Sequence, residues 1–109
     1  MPLNQIEGIT KINNAPLKVP KDLYIGDLLS CVMANIEEGS LWLTTQTNLN
    51  VIAIGHLHEL AGIIFVEDMQ PEDAVIQKSK ECQIALYTYP KSAYHLALEI
   101  TKMGLAYVL

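Results

Sequence analysis

Four short polar stretches carry the side chains best able to do chemistry: Gly26-Asp27, Thr44-Thr45-Gln46-Thr47, Glu67-Asp68 and Thr88-Tyr89. Each follows an apolar run, so each reads as the loop at the carboxyl end of a β-strand. In an open α/β sheet such ends lie side by side, and ligands bind in the crevice beyond them. Hydroxyls, one amide and three carboxylates would then meet on one edge. That set suits a small polar ligand or a weakly held cation. Asp27, Thr45, Gln46, Thr47 and Asp68 are the expected ligand-binding residues. Three carboxylates against Lys91, the one cation nearby in sequence, favour a neutral or cationic ligand over a phosphate. Helix capping is the simpler explanation of the same residues, because Asp and Thr oxygens accept backbone N–H groups at helix starts.

Other chemistry is poorly provided for. Neither GxxxxGK[ST] nor GxGxxG occurs, and the six glycines are isolated, so phosphoryl transfer on a glycine-rich loop is excluded. His56 and His58 are two residues apart, which on a helix places them on different faces. His56 falls in line with Leu49, Ile52 and Leu60 and reads as an interior or interface histidine. His95 shares a charged, solvated face with Lys91, Glu99 and Lys102. Cys31 and Cys82 have no CxxC partner or adjacent base, and Cys82 shares a helical face with Val75 and Ser79, as a core residue would. No metal site, catalytic residue, cofactor or enzymatic activity is expected.

Composition narrows the partners. The chain has 109 residues, a formal charge of -5 and no arginine, with its seven lysines scattered. Nucleic-acid binding is excluded, since phosphate contacts need clustered Lys and Arg. No apolar run is long enough to span a membrane, and the start MPLNQIEG lacks the pattern of a signal peptide. A cytoplasmic protein with two reduced thiols is expected.

The elements that position these residues follow from apolar runs and their punctuation. Residues 1–21 are weakly patterned, with a helical turn at Leu3–Ile6 and a turn at Asn13–Pro16. Leu23–Ile25 is a strand, stopped by Gly26. Asp27 is the expected N-cap of a helix running to Ile36, which Gly39 would close. Strands at Ser40–Thr44, Ala61–Val66 and Ile84–Tyr87 alternate with helices at 49–60, 71–83 and 90–103. Pro71 at a first helical position, followed by Glu72 and Asp73, is a start signal with a physical cause. Gly104 stops the last helix. The fold class is therefore α/β: a single domain over 1–109 with a mainly parallel four- or five-stranded sheet and crossover helices.

Helix 49–60 presents Leu49, Ala53, Leu57 and Leu60 on one side and Val51, Ile54 and Ala61 on the other. A helix apolar on both sides must be covered twice. The sheet covers one side; a second copy of the chain is expected on the other, with Ile54→Asp weakening the dimer more than the fold. The tail Leu105–Leu109 makes the same demand.

Four segments carry a family resemblance: Tyr24–Ser30 (YIGDLLS), Glu38–Trp42 (EGSLW), Gln46–Val51 (QTNLNV) and Ala61–Ile64 (AGII). They resemble the DRTGG domain in its small stand-alone form, over roughly residues 22–104. The same domain accompanies CBS domains in regulatory regions of pyrophosphatases, and it is similar to the non-catalytic N-terminal domain of HPr kinase/phosphorylase. The resemblance implies an α/β fold, dimerisation and a regulatory or scaffold role, without catalysis by the domain itself. The family's Thr-Gly-Gly falls on Val66, Glu67 and Asp68, and its Asp-Arg falls near Gln46 and Thr47. Both departures remove features an anion would use, namely backbone freedom and a cation. Cys31 stands where the family leads one to expect an acidic residue.

Overall fold

The computed structural model describes residues 3–104. Four strands run parallel: β2 (Leu23–Ile25), β3 (Leu41–Thr44), β4 (Gly62–Phe65) and β5 (Leu86–Thr88). Helices α1 (Leu29–Asn35), α2 (Asn50–Leu57) and α3 (Asp73–Cys82) connect them, and α4 (Ala93–Met103) follows β5. A two-residue strand, β1 (Thr10–Lys11), joins antiparallel to β5, so the sheet order is β1-β5-β4-β3-β2. The α/β class and the mainly parallel sheet are as expected, with five strands.

The strands alternate strictly between two cores, as a pleated sheet buried on both faces requires. Trp42, Ile63, Phe65 and Leu86 point to the face covered by α1, α2 and α3, where Val32, Val51, Ile52 and Val75 meet them. Leu41, Leu43, Ile64 and Tyr87 point to the other face, where Leu96 and Ile100 of α4 pack with Leu3 of the opening 3-10 turn and Ile6 just after it. Because each parallel strand pairs with its sequence neighbour, α1–α3 fall on one side in a row, with α2 in the middle. Gly55 lets α2 lie close on the sheet: a Cβ there would stand 3.1 Å from both Ile63 Cδ1 and Ile84 Cδ1.

Several boundaries differ from expectation, each for a visible reason. Residues 12–22 form a strap that crosses the amino-terminal ends of the strands. Ile12 N–H donates to Leu86 O (2.9 Å), Lys18 N–H to Ala61 O (3.3 Å) and Lys21 N–H to Gly39 O (3.0 Å). The expected turn at Asn13–Pro16 is a bend at Asn13 alone, followed by extended chain. The α1 helix is capped at Leu28 without a side-chain bond, because the Asp27 carboxylate is engaged elsewhere. The same helix ends at Asn35, and Gly39 instead serves the next turn at φ +77°. Pro71 precedes α3 rather than opening it: Glu72 is the N-cap and Asp73 the first helical residue. The α2 helix is shorter than expected and ends at His58 and Glu59, the latter at φ +48°. The tail Leu105–Leu109 lies outside the described residues.

Candidate functional site at the carboxyl edge of the sheet

The strap closes the amino-terminal edge of the sheet, so the carboxyl edge is where loops stand free. Asp27 sits just past β2, and Thr44 and Thr45 at the end of β3. Asp27 Oδ1 accepts from Thr44 Oγ1 at 3.0 Å and from the Thr45 N–H at 2.7 Å. Thr44 Oγ1 in turn accepts from Gln46 N–H at 3.1 Å. Asn48 Nδ2 donates to Gln46 Oε1 at 3.4 Å, and Asn48 Oδ1 accepts from Asn50 N–H at 3.0 Å at the start of α2. A hydrogen-bonded chain therefore runs from Asp27 to Asn50 across the tips of β2 and β3. Trp42 Nε1 donates to Gly26 O at 2.9 Å and ties the β2 end to the core.

Of the five expected residues, Asp27, Thr45 and Gln46 are brought together, and Thr47 lies half-buried in the same loop. Asp68 belongs to a different cluster. Its N–H donates to Tyr89 O (3.0 Å), while Glu67 N–H donates to Lys91 O (2.8 Å), so the β4 loop leans on the loop after β5. Glu67 and Asp68 are both left-handed, at φ +58° and +60°. These are the positions where the family's two glycines fall. The chain takes a glycine-favouring conformation there with side chains that lack glycine's backbone freedom. Both N–H groups are already bonded, so the turn offers no pair of donors to an anion.

Beside this second cluster is a recess of about 140 Å³ lined by Ile6, Glu7, Tyr89, Lys91 and Glu99. Burial pushes the Tyr89 hydroxyl above its ordinary pKa, and the carboxylates of Glu99 and Glu7 push the same way. Burial alone raises Tyr87. Sequence reasoning placed Thr44 at this edge but missed Asn48 as a member of the network, and Glu7 and Glu99 as neighbours of Tyr89. Glu7 and Glu99 come from the two ends of the chain, with no signal in their spacing.

The histidines and cysteines divide. His56 is exposed, so the expected interior position is not found, although an interface one is compatible with its place beside a surface groove. His58 has a buried Nε2 without a hydrogen-bond partner among the described residues. His95 is exposed, with Nδ1 2.8 Å from Ser92 Oγ. Cys31 is an exposed thiol and Cys82 a half-buried one. Among the described residues, no three His, Cys, Asp or Glu side chains are grouped to hold a metal ion, and no helix is long and apolar enough to cross a membrane.

No family model and no curated protein matches the sequence. Among solved structures, the chain is similar to the CBS and DRTGG domains of the regulatory region of Clostridium perfringens pyrophosphatase, crystallised with its activator diadenosine tetraphosphate. The TM-score is 0.60 at 15% identity, covering 77% of this chain and 36% of that one. At that identity the likeness is one of fold, and the fold of this chain is DRTGG-like.

Proposed function

We propose that this chain is a non-catalytic regulatory or scaffold domain that works as a homodimer and engages a partner protein. One observation carries the reading. The α2 helix lies mid-row in the outer helical layer, buries Val51, Ile52 and Ile54, and leaves Leu49 and Leu57 uncovered. A face of that kind belongs to a protein whose work is association. The carboxyl edge fits the same reading, since its polar groups bond chiefly to one another. A second reading has a specific observation behind it: the structural neighbour is a regulatory region that was crystallised with a nucleotide activator. On that reading the Asp27–Asn48 network is a small polar-ligand sensor, with Thr45, Gln46 and Thr47 as contacts and Asp68 at its far side.

Thermal melting separates the two. The probes are diadenosine tetraphosphate, ATP, AMP, Mg²⁺ and Ca²⁺, because a ligand bound only by the folded state raises the melting temperature. The scaffold reading predicts no shift with any probe. A shift abolished by Gln46→Ala supports the sensor. Turnover of ATP or pyrophosphate by the pure chain, lost on mutating an edge residue, would contradict both.

A further inference from the structure

Independently of the dimer, we infer that the recess beside Tyr89 is a binding site for a small zwitterion, a free α-amino acid with a short side chain. Ile6, Glu7, Tyr89, Lys91 and Glu99 line its roughly 140 Å³. Three separate segments build it: the chain after the opening 3-10 turn, the loop after β5, and α4. Gly8, at φ +89°, lets the first segment pass against the second, since a Cβ there would stand 3.0 Å from Pro90 Cγ. That approach brings Glu7 beside Tyr89 and Lys91. The bonds from Glu67 N–H to Lys91 O and from Asp68 N–H to Tyr89 O fix the backbone beneath both side chains. Glu99 comes in from α4.

Tyr89 shows that the recess lacks a polar group. The residue is 3% exposed, and its hydroxyl has no hydrogen-bond partner among the described residues. A hydroxyl withdrawn from bulk water needs a partner, so whatever fills the recess must supply that bond. Burial raises its pKa, and Glu99 and Glu7 push the same way. The group therefore stays a neutral O–H that both donates and accepts.

Charge and size name the occupant. Two carboxylates and one ammonium line the space, yet Lys91 has neither at ion-pair distance: the ion pairs among the described residues are Lys78–Glu81 and Lys102–Glu99. The latter is a loose contact of 3.8 Å between side chains open to solvent, and such pairs are weak competitors. A recess that holds both signs apart fits a molecule carrying both. Its ammonium would lie against Glu7 and Glu99, its carboxylate against Lys91, with the Tyr89 hydroxyl between them. A phosphate would meet two carboxylates, and a bare metal ion would meet Lys91 where no three His, Cys, Asp or Glu gather. The volume is the room of about five waters, which suits alanine, with Ile6 against its methyl group.

Backbone amide chemical shifts of the full chain, titrated with L-alanine, ethylamine and propionate to tens of millimolar at constant ionic strength, test the inference. Ethylamine is alanine without its carboxylate, and propionate is alanine without its ammonium. Alanine should give saturable shifts at Glu7, Gly8, Tyr89 and Lys91, and each half-molecule should bind at least about tenfold more weakly. Glu7→Gln and Tyr89→Phe should each weaken alanine binding roughly tenfold. Glu7 is exposed, so the first substitution leaves the fold intact even if the second disturbs it. Ethylamine or propionate binding as tightly as alanine overturns the zwitterion. Shifts that never saturate, or that Glu7→Gln leaves unchanged, overturn the site. Each of these outcomes leaves the dimeric reading and the Asp27–Asn48 sensor reading where they stand.

Discussion

Asn13 does more for this fold than its place in a weakly patterned segment suggests. Its amide donates to Ser79 Oγ (2.9 Å) and Ile84 O (2.7 Å), and its carbonyl accepts from Ala15 N–H (3.3 Å) and Leu86 N–H (3.2 Å). All its hydrogen-bonding capacity is spent joining the strap to β5 and α3. Replacing it with alanine strands several buried polar groups, each costing about 1–3 kcal/mol. Asn13→Ala should lower the unfolding free energy by roughly 3 kcal/mol, read as a shift in the urea midpoint. Sequence alone reads this asparagine as turn chemistry, because its partners lie about seventy positions away, a separation with no local signature. Asp27 shows the converse: its importance was legible, its role was not. An Asp before a helix looks like a cap, but Thr44 and Thr45 compete for the same oxygen and hold it.

Two further residue-scale outcomes follow from strain and burial. Glu67 holds a left-handed conformation that favours glycine, at roughly 1–2 kcal/mol for an L-residue. Glu67→Gly should raise stability by about 0.5–1 kcal/mol, the greater freedom of glycine in the unfolded chain offsetting part of the relief. Tyr87 and Tyr89 have raised folded-state pKa values. A raised pKa means the folded state holds its proton more tightly. The stability these groups contribute is therefore complete below the unfolded value of about 10 and is lost as pH climbs through the folded values above it. Urea midpoints should fall as pH rises above about 10, and Tyr89→Phe should blunt that fall. An equal fall in Tyr89→Phe would mean Tyr89 contributes nothing to it.

At the scale of elements, legibility followed pattern length. The four parallel strands were read within a few residues because each apolar run ends in a polar or glycine punctuation. β1 was missed because two exposed residues carry no periodicity, and only the β5 edge makes them a strand. The two-sided character of α2 was also legible, but not which side the sheet takes. Ile54 is 3% exposed and packs in the core, so the expected dimer-selective effect of Ile54→Asp is corrected: that change puts a charge in the core and should unfold the chain. Leu57 is the position that leaves the core intact. The closeness of α2 to the sheet gives its own test. Gly55→Val places branched carbons against Ile63 and Ile84, and overpacking of that kind costs about 1–3 kcal/mol. A urea midpoint unchanged from wild type would show that α2 can lift without loss.

The whole molecule measures 30 × 26 × 23 Å, with helices on both faces of its sheet. One edge of that sheet is closed by the strap, and the other is saturated largely by its own hydrogen bonds. Among the described residues, large apolar side chains stand exposed at Leu49 and Leu57 by α2, at Ile25 in β2 and Leu28 just past it, and at Tyr94 and Leu98 on α4. The carboxyl-edge set was legible in part: Asp27, Thr45, Gln46 and Thr47 gather as their strand ends require, while Asp68 turns toward Tyr89 through bonds that no spacing encodes. The central claim, that this chain acts as a homodimer, is tested most directly by the mass of the unmodified protein in solution. Light scattering across a concentration series at tens of micromolar should give twice the 12.1 kDa chain mass. A mass that stays at that of one chain over the whole series would contradict the account.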